Sequence, residues 1–168
     1  MKKQILKFKK ENRKTDQLEF WVDGEKLVQL QNPKQGILPH DMVHYVVEMC
    51  FPFEGFIKLV FDGHEPGKVM EVLSGFAPKI SREYSQASWI TESLVESLQA
   101  ALWSNNMTFD GFKYLYNKAC EARKISAAPI EETDFNKCTS LVEKLVSNWS
   151  DLKAGETIEL KFLPREEL

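Results

Sequence analysis

The stretch ILPHDMVHYVVEMCFP, residues 37–52, predicts a helix with one apolar face and one polar face. Pro39 has the fixed φ that suits a first helical position, and Pro52 indicates the far end. The apolar face is built at helical spacing from Met42, Val43, Val46, Val47, Met49 and Cys50. The opposite face carries two imidazoles and two carboxylates, those of His40, Asp41, His44 and Glu48.

Two residues of this polar face have the spacing of metal ligands. His40 and His44 are one helical turn apart, which lets both imidazoles reach one ion, as in the helices of zinc proteases. Glu48 lies about 12 Å along the axis from His40, too far for both to bind the same ion. A site would use His40 with His44, or His44 with Glu48. The remaining ligands would come from other segments, with suppliers among His64, Glu54 and Glu65.

The sequence leaves three interpretations of the polar face open. The first is a solvated face, with Asp41 near the positive end of the helix dipole and His44 paired with Glu48. The second is a divalent-metal site, for which zinc is the ion that imidazole ligands favour. The third is a metal-free acid–base site, in which Glu48 favours charged His44 and the helix start favours neutral His40. Because short motifs often occur by chance, spacing alone favours the first.

Composition predicts one domain over residues 1–168. A content of 43% hydrophobic and 28% charged residues is ordinary for a soluble globular protein. No apolar run approaches the ~20 residues that cross a bilayer, and the lysine-rich N-terminus has no apolar signal segment. Cys50, Cys120 and Cys138 are scattered without a CxxC pair, which predicts reduced core thiols in a cytoplasmic protein.

The charge is unevenly distributed along the chain. The first fourteen residues carry a net charge of +6 and the remainder −9, which together give −3. A basic end can bind nucleic acid. Here, however, the lysines alternate with apolar residues, which is typical of a protected strand edge. The rest of the chain is acidic, so we do not expect a nucleic-acid partner.

Periodicity along the chain predicts an α+β fold. Strands are expected at residues 4–9, 18–22, 25–31 and 157–162. Because a lone strand cannot satisfy its backbone donors, the C-terminal strand should pair with the N-terminal meander in a small antiparallel sheet. About five helices should pack on it, with predicted spans 53–61, 69–73, 88–105, 109–123 and 133–149 beside the first helix, and an irregular stretch at 75–84. The charges of Glu92, Glu96 and Lys144 are predicted to be solvated.

Two stretches resemble a group of small bacterial proteins of unknown function. One stretch reads PHDxxHxxVE from Pro39 to Glu48 and continues with Gly55-Phe56, Leu59-Val60 and Gly63. The other is the tail formed by Trp149, Leu152, Gly155, Leu160 and Phe162. The matches cover about a third of the chain, which departs at Ile57 and Lys58, where the group has Trp and Gly. The resemblance implies a bacterial protein and supplies no mechanism, because the group has no known activity.

Two functions are therefore expected as alternatives. In the first, the chain is a non-catalytic binding domain that meets another protein or a second copy of itself, without a membrane or a cofactor. In the second, it is a zinc-binding protein or hydrolase with His40, His44 and His64 as ligands. A water on the ion would then attack the substrate, with Asp41 or Glu48 as the base.

Overall fold

Four strands and six helices make up the part of the chain that the computed structural model describes, residues 1–34, 36–73 and 82–163. The strands are β1 (Gln4–Lys9), β2 (Thr15–Val22), β3 (Glu25–Pro33) and β4 (Thr157–Lys161). The helices are α1 (His40–Cys50), α2 (Phe56–Phe61), α3 (Pro66–Leu73), α4 (Arg82–Ser104), α5 (Phe109–Ala122) and α6 (Glu132–Asp151). The predicted α+β class is confirmed. None of these helices has the length and apolar content needed to span a bilayer.

The sheet is antiparallel, with the strand order β3-β2-β1-β4. Phe8 of β1 lies opposite Leu18 of β2 on one side and Ile158 of β4 on the other. Alternate side chains of β1 and β2 enter the core, because successive residues of a strand point to opposite faces. The C-terminal strand therefore pairs with the meander, as predicted, and its partner is β1.

Helix α1 lies inside the helical layer and contacts α2, α4 and α6. Nine of its eleven residues are buried, and these include Asp41, His44 and Glu48 from the polar face. The interpretation of this face as solvated is therefore wrong for Asp41, His44 and Glu48, whereas the His40 side chain is 36% exposed. A helix that is covered on several sides buries its polar groups together with its apolar ones, whatever its own periodicity predicts.

Element bounds differ from the sequence prediction at several helix starts. Pro39 has a ψ of 140° and precedes α1 rather than opening it. Helix α2 begins at Phe56 instead of residue 53, because the backbone at Gly55 is extended. Helix α3 begins three residues earlier than predicted, at Pro66, and α4 begins at Arg82 rather than residue 88. Of the predicted irregular stretch 75–84, residues 75–81 lie outside the described residues.

A candidate metal centre between α1 and α4

Three potential metal ligands converge where α4 packs against the polar face of α1. His40, His44 and Glu92 each offer one ligand atom, and these atoms all lie within 4.8 Å of one another. Nε2 of His44 is 3.1 Å from Oε2 of Glu92, and Nε2 of His40 is 3.9 Å from Oε1. The two imidazoles come from successive turns of one helix, and the carboxylate faces them from another. The predicted pairing of the two histidines is thus completed by a residue of α4.

The second nitrogen of each imidazole faces a polar side chain. Nδ1 of His44 lies 3.6 Å from Oε2 of Glu48. The amide nitrogen of Gln99 lies 3.0 Å from Nδ1 of His40, and a half-turn of the amide would place its oxygen there instead. Histidines that bind metals usually direct the other ring nitrogen at a carboxylate or carbonyl oxygen, which sets the orientation of the ring. Both rings therefore present Nε2 towards Glu92.

Glu48 connects this group to helix α2. Its Oε2 accepts a hydrogen bond from the backbone N–H of Ile57 (3.0 Å), and its Oε1 accepts one from Lys58 (2.9 Å). These N–H groups lie in the first turn of α2, where a helix has no internal acceptors for them. Because both oxygens are occupied, Glu48 is suited to orient His44 and to cap α2 rather than to act as a base.

Asp41 lies beside the two histidines at the start of α1. Its side chain is buried, and Oδ2 accepts a hydrogen bond from the amide of Asn32 at the end of β3. Burial raises the pKa of the Asp41 carboxyl, although His44, His40 and the Asn32 amide each act in the opposite direction. Of the two carboxylates predicted as bases, Asp41 is the one that retains an oxygen for proton transfer.

The charges of the group form a buried ion pair. Burial lowers the pKa of the His44 imidazole, but the Glu92 and Glu48 carboxylates outweigh burial and raise it to about 10. For Glu92, burial raises the pKa, whereas His44, His40 and Arg123 lower it, to about 2. Burial and the neighbouring His44 charge both lower the pKa of His40. At neutral pH the metal-free group is therefore an imidazolium of His44, a carboxylate of Glu92 and a neutral His40.

Two buried polar atoms of the group lack a hydrogen bond among the described residues. They are Nδ1 of His44 and Oε2 of Glu92. The 3.1 Å contact of Oε2 with His44 is short enough for a hydrogen bond but is poorly directed. Buried polar atoms are normally satisfied, so Oε2 of Glu92, the unsatisfied atom on the side to which both rings present Nε2, indicates a place for a further partner.

The group opens into a cavity of about 480 Å³. His40, Asp41, His44 and Glu92 line one part of it, and Phe56 and Met70 are among the apolar residues that line another. The side chain of His40 is 36% exposed, so solvent reaches the group from this side. Three protein ligands beside an open cavity are the arrangement of catalytic zinc sites, in which the remaining position takes water or substrate.

The other ligands suggested by the sequence lie elsewhere. His64 follows α2 and is exposed, and the described residues place it outside the group of His40, His44 and Glu92. Glu54 and Glu65 are exposed as well. The prediction that Glu92 is solvated is wrong, because its side chain is only 18% exposed. One sequence feature pointed to Glu92: it is seven residues from Gln99, so both side chains share a face of α4. The sequence near α4 does not indicate that this face packs against α1.

No protein-family model, curated protein or solved structure matches the chain.

We expect Gly55→Ala to destabilise the protein by about 1–3 kcal/mol, as overpacking of a core does. A Cβ at Gly55 would lie 2.5 Å from Cγ2 of Thr91 and 2.8 Å from Cδ of Glu48, so one of these buried side chains must move. Gly67→Ala is the control, because a Cβ there meets nothing within 4 Å. Urea unfolding followed by circular dichroism measures the free energy of unfolding of the two variants. Equal values for Gly55→Ala and Gly67→Ala would contradict the tight approach at Gly55.

The metal-free protein should lose stability as the pH rises from 7 to 9.5. The folded-state pKa of His44, about 10, lies above its ordinary value of 6.5. The stabilisation by the charged pair is therefore complete below about 6.5 and is lost as the pH approaches 10. In Glu92→Gln the largest cause of the raised pKa is absent, so unfolding curves recorded with a chelator should change less with pH. Parallel pH profiles for the two proteins would refute the pairing.

Proposed function

We propose that the protein binds a divalent metal ion, zinc in the first place, through His40, His44 and Glu92. The convergence of the three ligand atoms within 4.8 Å is the observation that carries the proposal. Two imidazoles and one carboxylate form a donor set of catalytic zinc sites, and imidazole ligands favour zinc among the common divalent ions. The contacts of Glu48 and Gln99 with the other ring nitrogens support it, because they orient both rings.

Within this proposal, the best-supported activity is metal-dependent hydrolysis. An ion held by these three residues would lie beside the cavity and would supply a water acidic enough to act as a nucleophile at neutral pH. Asp41 lines the same cavity and would accept the proton of that water. Burial raises the pKa of its carboxyl, and a base works best when its pKa approaches the working pH. Glu48 would hold His44 in place.

Elemental analysis of untagged protein tests the metal site. We expect about one zinc per chain. His40→Ala and Glu92→Gln should lose it, because each removes one of three ligands. His64→Ala is the matched control, since it removes the histidine that lies outside the group. The side chain of His40 is partly exposed, so His40→Ala should retain the circular dichroism spectrum of the wild type.

The metal proposal fails if the wild type remains free of zinc after equilibration with zinc and dialysis. It also fails if His64→Ala loses as much metal as His40→Ala. In either case the ion pair of His44 and Glu92 would be a structural link between α1 and α4.

A second function, non-catalytic binding of a protein or of a second copy, is favoured by one exposed apolar surface. Trp103 is 71% exposed and Ile37 is 45% exposed. They lie together along a cavity of about 440 Å³ that Leu102 also lines. Exposed apolar side chains that form a continuous patch are typical of interaction sites.

If this surface joins two copies of the chain, sedimentation velocity should show a dimer whose fraction increases with concentration. Trp103→Ser should shift the equilibrium to monomer, because it removes the most exposed aromatic side chain of the surface. Tyr114→Ser is the control, since Tyr114 is 62% exposed and lies on α5. A wild type that stays monomeric at every concentration would exclude self-association through Trp103.

A further inference from the structure

We infer that the ligand of this cavity is a small oxyanion bearing an apolar group, and that Arg123 binds the oxyanion. The inference names a substrate class for the metal centre and rests on the proposed function. The cavity contains a cation, Arg123, that is not itself a metal ligand. Arg123 follows α5 and lines the same cavity as His40, His44 and Glu92.

Arg123 is held against α4 by two contacts that use one nitrogen. Its Nη1 donates to Oε2 of Glu96 (2.7 Å) and to Oγ of Ser93 (3.2 Å). Glu96 is one turn beyond Glu92, so the guanidinium and the proposed metal position are neighbours along the same helix. Among the described residues, the hydrogen bonds and the ion pair of Arg123 all use Nη1, and the N–H groups on Nε and Nη2 have no protein acceptor. A guanidinium presents its five N–H donors in a planar fork, so these groups can bind a ligand while Nη1 keeps its partners.

The position of Arg123 is not explained by metal binding. A positive charge beside a divalent ion weakens the binding of that ion, because like charges repel in a partly buried site. The ion pair with Glu96 explains little either, since Glu96 is 60% exposed and exposed pairs contribute little stability. The charge of Arg123 also favours the Glu92 carboxylate, but that effect does not use the N–H groups on Nε and Nη2. An anionic ligand between the ion and Arg123 would turn the same arrangement into an attractive one. Arginine and metal ions together are a common means of binding phosphate and carboxylate groups.

Asn32 and Asp41 also line the cavity, and the remainder of its wall is apolar. Phe56, Pro33, Leu73 and Met70 line it, and Met70 is 58% exposed. An unbranched thioether adapts its shape to different apolar ligands. A volume of about 480 Å³ lies within the range of small-molecule sites. The occupant that fits is therefore a small molecule with an oxyanion at the α4 side and a short hydrocarbon or aromatic group against Met70.

Calorimetric titration of the zinc-loaded protein with phenyl phosphate and with benzoate tests this inference. We expect Arg123→Gln to weaken the binding of the preferred probe about 10- to 100-fold, the loss typical of a charge-assisted hydrogen bond. Its zinc content should stay that of the wild type. Lys118→Gln is the matched control, because it removes the same charge from an exposed position of α5. Met70→Ser should weaken phenyl phosphate more than inorganic phosphate, since only the former has an apolar group.

The outcomes separate the two proposals. If zinc binds but neither probe does, or if Arg123→Gln and the wild type bind the probes equally, the inference is wrong and the metal centre stands. If zinc does not bind, the metal centre itself is wrong. If Arg123→Gln shows the expected loss, the tighter probe identifies the oxyanion as a phosphate ester or a carboxylate.

Discussion

A buried imidazolium between two carboxylates is the interaction on which the described structure depends most. His44 of α1 is 3.1 Å from Glu92 of α4 and 3.6 Å from Glu48 of its own helix. Removing three charged groups from water is costly, and their mutual attraction offsets the cost only when all three are present. The packing of α1 against α4 is therefore specified by charge as well as by apolar contact, because removing His44 would leave two buried carboxylates without their cation.

Glu48 extends this interaction to a third helix. The same carboxylate that faces His44 accepts the backbone N–H groups of Ile57 and Lys58 and so caps α2. The close approach requires a residue without a side chain at Gly55, where Thr91 of α4 also packs. The orientation of the His44 ring thus depends on where α2 begins. The backbone of α2 holds Glu48, and Glu48 in turn orients the His44 ring. Support of this kind is what keeps the side chains of a site in a fixed geometry.

Helix α4 supplies most of the side chains of the proposed site that do not come from α1. Glu92 faces the imidazoles, Gln99 holds His40, and Glu96 holds Arg123 at the edge of the cavity. A ligand that binds there would contact groups placed by a single rigid element, with α1 opposite. A metal ion at this place would replace the proton of His44, because only a neutral imidazole binds metals. The ion pair and the proposed metal site would therefore be two states of one group of residues.

The sequence by itself determined the features that depend on residues close together in the chain. The prolines and the apolar spacing predicted α1, the interval between His40 and His44 predicted their shared face, and alternation predicted β1 and β4, because each of these signals depends only on near neighbours. Only the tertiary structure decided which distant residues contact these elements and complete the candidate site. Glu92 is on another helix, and its spacing from Gln99 does not indicate which element its face contacts. The polar face of α1 is buried only because α2 and α4 cover it. Burial and convergence arise from segments distant in the chain, and the spacing within one helix contains no information about them.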